Sequence, residues 1–331
     1  MLPDRLIAAR GAVAILAVSV VSLLFIASYA AALHDPTPHD VPIAVADQVP
    51  SSVTQQIEDS PAFEVHDVPD EAAAIRAIDR REAYGAVVPG SSGVDLLVTP
   101  AAGPAVQSVM QERLEPSLRG AGADVTVRTV RPLPAADTRG LVGFYTAVGW
   151  VVAGYLGATF LGIVFGTRPS VRRTVWRLGG VLALAVLVGF GGAFVAAWIG
   201  DLGSPGLLGL IGMLTVACAG AVTVALQAGL GIIGTGVAIL VFIVLGNPSS
   251  GGPFPIELLP APWRTVGPYI PTGAATTAIR DVAYFPDAPL TTPLVVIGAW
   301  LAVGVLVALL LARGRYGPGE RDVALAAAVA P

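Results

Sequence analysis

Charged residues are scarce in the second half of the sequence, and one segment, residues 247–285, holds four of them. They are Glu257, Arg264, Arg280 and Asp281, set among prolines and aromatic side chains. Charges in apolar surroundings are costly unless they are paired or hydrated. We therefore predict that Arg280 forms an ion pair with Glu257, because Asp281 is adjacent to Arg280 in sequence and points elsewhere on a helix.

Few other residues are arranged for chemistry. The sequence contains no lysine, a single cysteine at position 218, and no zinc or phosphate-binding motif. These features exclude P-loop, Schiff-base and thiolate-cluster chemistry. The segment HDPTPHD at 34–40 has two interpretations, a metal site or a polar linker, and its two prolines favour the linker. We expect no catalytic residue, no metal and no cofactor on this chain.

The composition indicates a polytopic α-helical membrane protein, with 54% hydrophobic residues, 13% charged residues and a mean hydropathy of +0.75. Six apolar runs approach the roughly 20 residues that a membrane crossing needs. The predicted spans are about 11–33, 141–165, 178–199, 205–226, 229–246 and 293–312. The first run also resembles a cleavable signal peptide, but its length favours a retained anchor.

Four regions follow from these spans. Residues 1–33 form the N-terminal anchor, 34–140 an α/β domain, 141–313 a five-span domain, and 314–331 a tail. Hydrophobic periodicity in the α/β domain predicts the order β-α-β-α-β-β-α-β, with Ser51 capping the first helix. This domain carries eight arginines and sixteen carboxylates, a pattern typical of a solvated surface.

The arginines predict the sidedness. Six spans place nine arginines on the side of both termini and only Arg264 and Arg280 in the short loops opposite. Because short positive loops stay inside, we predict cytoplasmic termini, an extracytoplasmic α/β domain and a location in the plasma membrane.

Residues 247–285, the broken segment, contain seven prolines and cannot form one continuous span. We predict short re-entrant helices that line a translocation path, since irregular backbone at membrane depth must be buried in protein or line a wet cavity. Thr272 is expected to cap the second helix. The alternative is a proline-rich loop on the membrane surface. The path candidates are Phe254, Glu257, Trp263, Arg264, Tyr269, Arg280 and Asp281.

A basic loop at 166–178 follows the second span. Val171, Val175 and Leu178 would share one face of a short amphipathic helix, which indicates contact with headgroups or with a cytosolic partner. The alternative is a loop whose charges only set the topology. The candidate residues are Pro169, Arg172, Arg173, Trp176 and Arg177.

The predicted spans from 141 to 246 lack Asp, Glu, Arg and His, and they are rich in glycine. Ion-coupled transporters normally carry ionisable residues at membrane depth, so this absence argues against a secondary transporter and against an intramembrane enzyme. Small residues at helical spacing allow close helix packing.

Three stretches resemble the permease subunits of type-2 ABC exporters, in the branch of phage-infection-protein-like membrane proteins. They are VPIAVADQ, EAYGAVVPG and GGPFPIELLPAPWRTVGPYIPTGAATTAIRD. The resemblance implies re-entrant helices over Phe254–Asp281 and a short cytoplasmic coupling helix over Pro169–Arg177. It also implies a cytosolic ABC ATPase on a separate chain that binds the ATP, a second permease chain, and no nucleic acid.

Two functions remain open from the sequence. The first is the permease of an exporter for an amphipathic or polymeric substrate. The second is a membrane-anchored extracytoplasmic receptor or scaffold without transport activity.

Overall fold

A computed structural model describes residues 4–167 and 170–314, and the side chains of all of these except residues 4–10, 14 and 314. Pro169, Arg168 and the predicted tail beyond Gly314 lie outside the described residues. The protein is mostly helical, with a small α/β domain between the first long helix and the rest of the helices. The predicted class, a polytopic helical membrane protein with an α/β domain, is confirmed at this level.

The α/β domain has the predicted order of elements. The chain runs through β1 Val41–Ala46, α2 Ser51–Glu58, β2 Phe63–Val68, α3 Glu71–Asp79, β3 Gly85–Pro89, β4 Val94–Val98, α4 Pro104–Val109, α5 Glu115–Gly120 and β5 Val125–Thr129. One π-helical turn, Met110–Leu114, joins α4 to α5. The sheet order is β2-β1-β3-β4-β5, and only the β3–β4 pair is antiparallel.

The core of this domain lies along the central strands. β1, β3 and β4 are buried over nearly their whole length, as expected for strands that are covered on both faces. The edge strands β2 and β5 are buried only at their first residues, Phe63 and Val125, and are half-buried or exposed elsewhere. Asp70 caps α3 by accepting a bond from Ala73 N at 2.7 Å. The predicted Ser51 cap is wrong, because Pro50 occupies the cap position of α2 and no side chain caps that end.

Five helices within the described residues are long and apolar enough to cross a membrane. They are α1 Asp4–Leu33, whose apolar part begins at Gly11, α6 Val142–Phe165, α7 Val171–Gly200, α8 Pro205–Leu230 and α12 Thr291–Gly314. α7 begins at Val171 rather than near 178, so the predicted basic loop is largely the first two turns of a 30-residue helix.

α8 is the central helix, and three other helices approach it through glycine. A Cβ atom on Gly154 of α6 would lie 2.6 Å from Val216 O, and one on Gly189 of α7 would lie 2.4 Å from Met213 N. A Cβ atom on Gly304 of α12 would lie 2.8 Å from Val222 N. These distances are too short for any side chain, so the glycines set the helix spacing, as the small-residue pattern predicted.

The fifth predicted span, 229–246, corresponds to a shorter helix. α9 Ile233–Ile239 continues as a π-helical turn, Leu240–Leu245, and the two together have 13 residues. At 1.5 Å per residue they cover about 20 Å, less than the hydrocarbon core of a bilayer. This helix runs antiparallel to α8, from Thr235 beside Gln227 to Phe242 beside the broken segment.

The broken segment forms short helices, as predicted. It contains 3₁₀ turns at Ile256–Leu258 and Gly267–Tyr269, α10 Ala261–Val266, and α11 Pro271–Tyr284. α11 packs against α6, α8 and α12, and its residues 271–276 and 278–281 are buried. α11 is therefore enclosed by long helices and not exposed on the surface of the protein.

Candidate functional site

The α/β domain rests directly on the broken segment, and the chain that enters the domain is part of this contact. In the 34–40 segment, Thr37 N donates to Leu258 O at 3.2 Å and His39 N donates to Glu257 O at 2.9 Å. Asp40 lies 3.5 Å from Arg264, at the exposed rim. The segment is therefore a linker held by backbone hydrogen bonds.

An ion pair joins the domain to α11. Arg81 Nη1 lies 2.5 Å from Asp281 Oδ1, and the two side chains are 17% and 4% exposed. Burial alone would lower the pKa of the Arg81 guanidinium, but the Asp281 carboxylate, with Tyr84 and Glu257 beside it, raises this pKa above its usual range. Arg81 therefore keeps its charge beside Asp281.

The backbone at Arg81 is unusual for a residue with a side chain. α3 ends in a Schellman motif, in which Arg81 N donates to Ile78 O at 2.9 Å and Glu82 N donates to Ala77 O at 2.8 Å. Arg81 holds the left-handed position of this motif with φ 58°. Glycine normally occupies that position, because a side chain there costs about 1 kcal/mol. Arginine at a strained position indicates that its side chain is needed.

A hydrogen bond runs parallel to this ion pair. Tyr84 Oη donates to Glu257 Oε2 at 2.6 Å. Burial and the neighbouring Glu257 carboxylate raise the pKa of the Tyr84 phenol far above its usual range, so the phenol stays protonated and acts as the donor. Arg81 and Tyr84 were not among the predicted site residues. The only signal in the sequence was that Tyr84 lies within EAYGAVVPG and Arg81 immediately before it.

The predicted Arg280–Glu257 ion pair is wrong. Arg280 is 7% exposed, and its Nη2 donates to Gly251 O at 3.1 Å and to Gly252 O at 3.4 Å. Adjacent residues are about 100° apart around a helix, so Asp281 faces the α/β domain while Arg280 faces the segment before α10. Gly251 has φ 72°, which turns the chain so that both carbonyls can accept from one guanidinium.

These groups surround a cavity of about 290 Å³ between the domain, the broken segment and the start of α12. Its charged and phenolic lining includes Arg81, Tyr84, Glu257, Arg280 and Asp281. Three predicted path residues, Glu257, Arg280 and Asp281, are therefore brought together.

The other four path candidates have different surroundings, and none of them lines this cavity. Phe254 packs against the core of the α/β domain. Trp263 Nε1 donates to Ser28 Oγ at 3.0 Å, and Ser28 donates to Val244 O, which attaches α1 to the helix Ile233–Leu245. The side chain of Tyr269 is 67% exposed.

Thr272 and Asp137 also have roles that the sequence did not indicate. Thr272 does not cap α11, because Ile270 takes the cap position and Thr272 Oγ1 donates to Phe242 O at 3.2 Å. Asp137 accepts bonds from Leu141 N and Val142 N at 3.0 Å and is buried at the start of α6. Tyr284 Oη donates to the same carboxylate at 3.3 Å, so the ends of α11 and of the domain meet there.

At the opposite end of the helices lies a second polar cluster. Arg177 is 2% exposed, and its Nη2 donates to Ala158 O at 3.2 Å and to Gln227 Oε1. Gln227 Nε2 donates to Thr235 Oγ1 at 2.8 Å and to Thr159 Oγ1 at 3.4 Å. The prediction that Arg177 lies on a partner-facing surface is wrong, because α7 turns its Thr174–Arg177–Val181 face into the helices.

The first two turns of α7 nevertheless present an exposed basic surface. Arg172, Arg173 and Trp176 are exposed, and so are Val171 and Val175. The predicted apolar face of Val171 and Val175 is thus the outer face of α7. Ser170 starts the helix by accepting a bond from Arg173 N at 3.4 Å.

Comparisons of the chain with models of protein families, with curated proteins and with solved structures found no match. The function is therefore inferred from the residues themselves. Among the described residues, no three His, Cys, Asp or Glu side chains gather as a metal site. The arrangement instead suits the fixing of one structural unit to another and the binding of a charged group in a partly apolar cavity.

Proposed function

We propose that the chain is the membrane permease subunit of an ABC-type exporter, which moves an amphipathic or polymeric substrate outward. A separate cytosolic ATPase supplies the energy, and two permease chains, identical or related, enclose the path. The observation that carries the proposal is α11, a 14-residue helix buried between α6, α8 and α12 beside a cavity with charged walls.

A short buried helix with charged residues costs free energy, and a protein that only anchors a domain has no need of such a helix. α11 is too short to span, it is packed between long helices, and it carries two buried charges, Arg280 and Asp281. Short helices and irregular backbone inside a membrane protein are typical of places where a substrate passes. A receptor or scaffold needs only spans and an exposed domain.

The path of the chain supports six crossings with both termini on the cytoplasmic side. The α/β domain and the broken segment lie at one end of the helices, and Arg177 and Gln227 lie at the other. In the proposed orientation the helix Ile233–Leu245 and the broken segment together complete the fifth crossing. The exposed arginines at the start of α7 then face the cytoplasm, where the ATPase docks.

The test compares two charge-matched double variants. Arg172→Ala with Arg173→Ala removes the exposed basic surface of α7, and Arg113→Ala with Arg139→Ala removes two exposed arginines from the α/β domain. The native chain is purified in mild detergent, and the amount of associated ATPase is measured per permease. We expect the first variant to lose most of the ATPase and the second to retain it.

Equal ATPase in both variants would show that the start of α7 is not the docking surface. No ATPase with the wild-type chain would contradict the proposal and favour the receptor or scaffold.

A further inference from the structure

The cavity above α11 has an excess of positive charge. Arg80, Arg81 and Arg280 line it, against the carboxylates Glu257 and Asp281. Asp281 is already paired with Arg81, and Glu257 accepts the hydrogen bond of Tyr84. Both carboxylates are therefore committed to the contact between the domain and the broken segment.

Arg280 receives no side-chain hydrogen-bond partner from this contact. Its only hydrogen bonds among the described residues come from Nη2 and go to two backbone carbonyls, although 93% of the residue is buried. Nε and Nη1 have no acceptor there, and because neither atom is fully enclosed, both are open to the cavity. A guanidinium offers five N–H donors, and a mostly buried one is stabilised by an anion that accepts from them. An oxyanion would supply acceptors for the unused donors of Arg280, because two parallel N–H bonds from a guanidinium fit a carboxylate or a phosphate.

The rest of the cavity wall is suited to an apolar chain. Pro255, Ile256, Ala288, Pro289 and Pro293 line it, and the hydroxyl residues Thr277 and Thr292 lie among them. The α/β domain above has eight arginines and sixteen carboxylates, so its field repels small anions from bulk solution. An anion that brings its own apolar part gains contacts that offset this repulsion.

We propose that this cavity binds the anionic head of an amphipathic molecule, a phosphate or a carboxylate, with Arg280 as its principal cation. The first atoms of the apolar chain lie against the proline-rich wall. The binding site itself does not depend on transport, and calling its ligand the exported substrate rests on the function proposed above.

The test uses the full chain in nanodiscs of phosphatidylcholine. Short-chain phosphatidic acid, short-chain phosphatidylcholine and inorganic phosphate are titrated separately, and binding is measured by calorimetry. We expect saturable binding of phosphatidic acid and much weaker binding of the other two. Loss of one charged hydrogen-bond donor weakens binding about tenfold or more, so Arg280→Gln should do so. Arg113→Gln removes an exposed arginine outside the cavity and should leave binding unchanged.

A second pair of variants leaves Arg280 in place, in case Arg280→Gln fails to fold. Thr292 is exposed and lines the cavity, whereas its exposed neighbour Thr291 does not. Thr292→Trp should block binding of phosphatidic acid, and Thr291→Trp should not.

Equal affinity for phosphatidylcholine, or full affinity in both Arg280→Gln and Thr292→Trp, would overturn the proposal. Inorganic phosphate bound as tightly as phosphatidic acid would overturn the amphipathic ligand. If the chain binds phosphatidic acid but associates with no ATPase, the binding site would be upheld and the proposed export function would be contradicted.

Discussion

Arg81 Nη1 and Asp281 Oδ1 lie 2.5 Å apart, although 200 residues separate them in the sequence. The arginine ends a helix of the α/β domain, and the aspartate lies on the buried helix of the broken segment. With the Tyr84–Glu257 bond beside it, this pair fixes the domain to the segment. These two contacts therefore hold the domain against the broken segment.

Asp281→Asn should destabilise the protein by about 3 kcal/mol, because it leaves the Arg81 guanidinium buried without its counter-charge. Adding Arg81→Met to this variant removes the isolated cation and should recover part of the loss. The measurement is the apparent unfolding temperature of the full chain in detergent.

Arg119→Met serves as the control for this pair. Arg119 pairs with Glu115 and donates to Val125 O at 3.0 Å, but its side chain is 54% exposed, so its removal should lower the unfolding temperature far less than Asp281→Asn does. A double variant no more stable than Asp281→Asn alone would mean that Arg81 and Asp281 do not act as a pair.

Tyr84→Phe should destabilise the protein by about 1–3 kcal/mol, because the Glu257 carboxylate loses a hydrogen-bond donor within the contact. Tyr145, whose side chain is 63% exposed, provides the control Tyr145→Phe. The pH dependence gives a second readout. Between the pKa of the unfolded chain, about 10, and the higher pKa of the folded protein, the Tyr84 phenol is protonated only in the folded state. Wild type should therefore lose stability relative to Tyr84→Phe only above about pH 10. A difference that already changes near pH 7 would contradict this assignment.

The sequence predicted the elements well and their contacts poorly. Periodicity of two or 3.6 residues is a local property, so the order of β1 to β5 and the short helices of the broken segment could be inferred. The partner of Arg280 could not be inferred, because it depends on how the α/β domain docks. The docked domain pairs Arg81 with Asp281 and Tyr84 with Glu257, and Arg280 donates to backbone carbonyls instead.

The start of α7 shows a second limit. Hydropathy places the beginning of a span at the last charged residue, but an arginine in the second turn of a helix can still be buried when Gln227 and a carbonyl accept from it. The four predicted spans contain no Asp, Glu, Arg or His, yet a buried cation, Arg177, lies one residue outside the boundary of one of them. Contacts between residues that are far apart in the chain, such as Arg177 and Gln227, leave no periodic pattern in a single sequence.

Gly162→Ala should destabilise the cluster around Arg177 by about 1–3 kcal/mol through overpacking. A Cβ atom at this position would lie 2.7 Å from Gln227 Oε1 and 3.2 Å from Arg177 Nη2. Gln227 cannot easily move aside, because it bonds Arg177, Thr159 and Thr235. Gly149 lies on the same helix with open space beside it, so Gly149→Ala is the control and should be neutral or stabilising. Equal unfolding temperatures for the two variants would contradict the role of Gly162.

Single cysteines should report the proposed sidedness in whole cells. In a Cys218→Ala background, cysteines at Ser92 and Thr265 should react with an impermeant thiol reagent, because both residues are exposed at the end that holds the α/β domain. A cysteine at Ser170, at the start of α7, should react only after the membrane is opened. Labelling of position 170 from outside would contradict the proposed orientation.

The most direct test of the proposed function is the ATP hydrolysis that accompanies the native chain. The protein is purified from its own membrane with its partners, placed in nanodiscs and compared with the Arg172→Ala, Arg173→Ala variant prepared in the same way. We expect ATP hydrolysis in the wild-type preparation, and we expect it to fall together with the amount of associated ATPase in the variant. A wild-type chain, intact and folded, that carries no ATP hydrolysis above the variant would contradict the account.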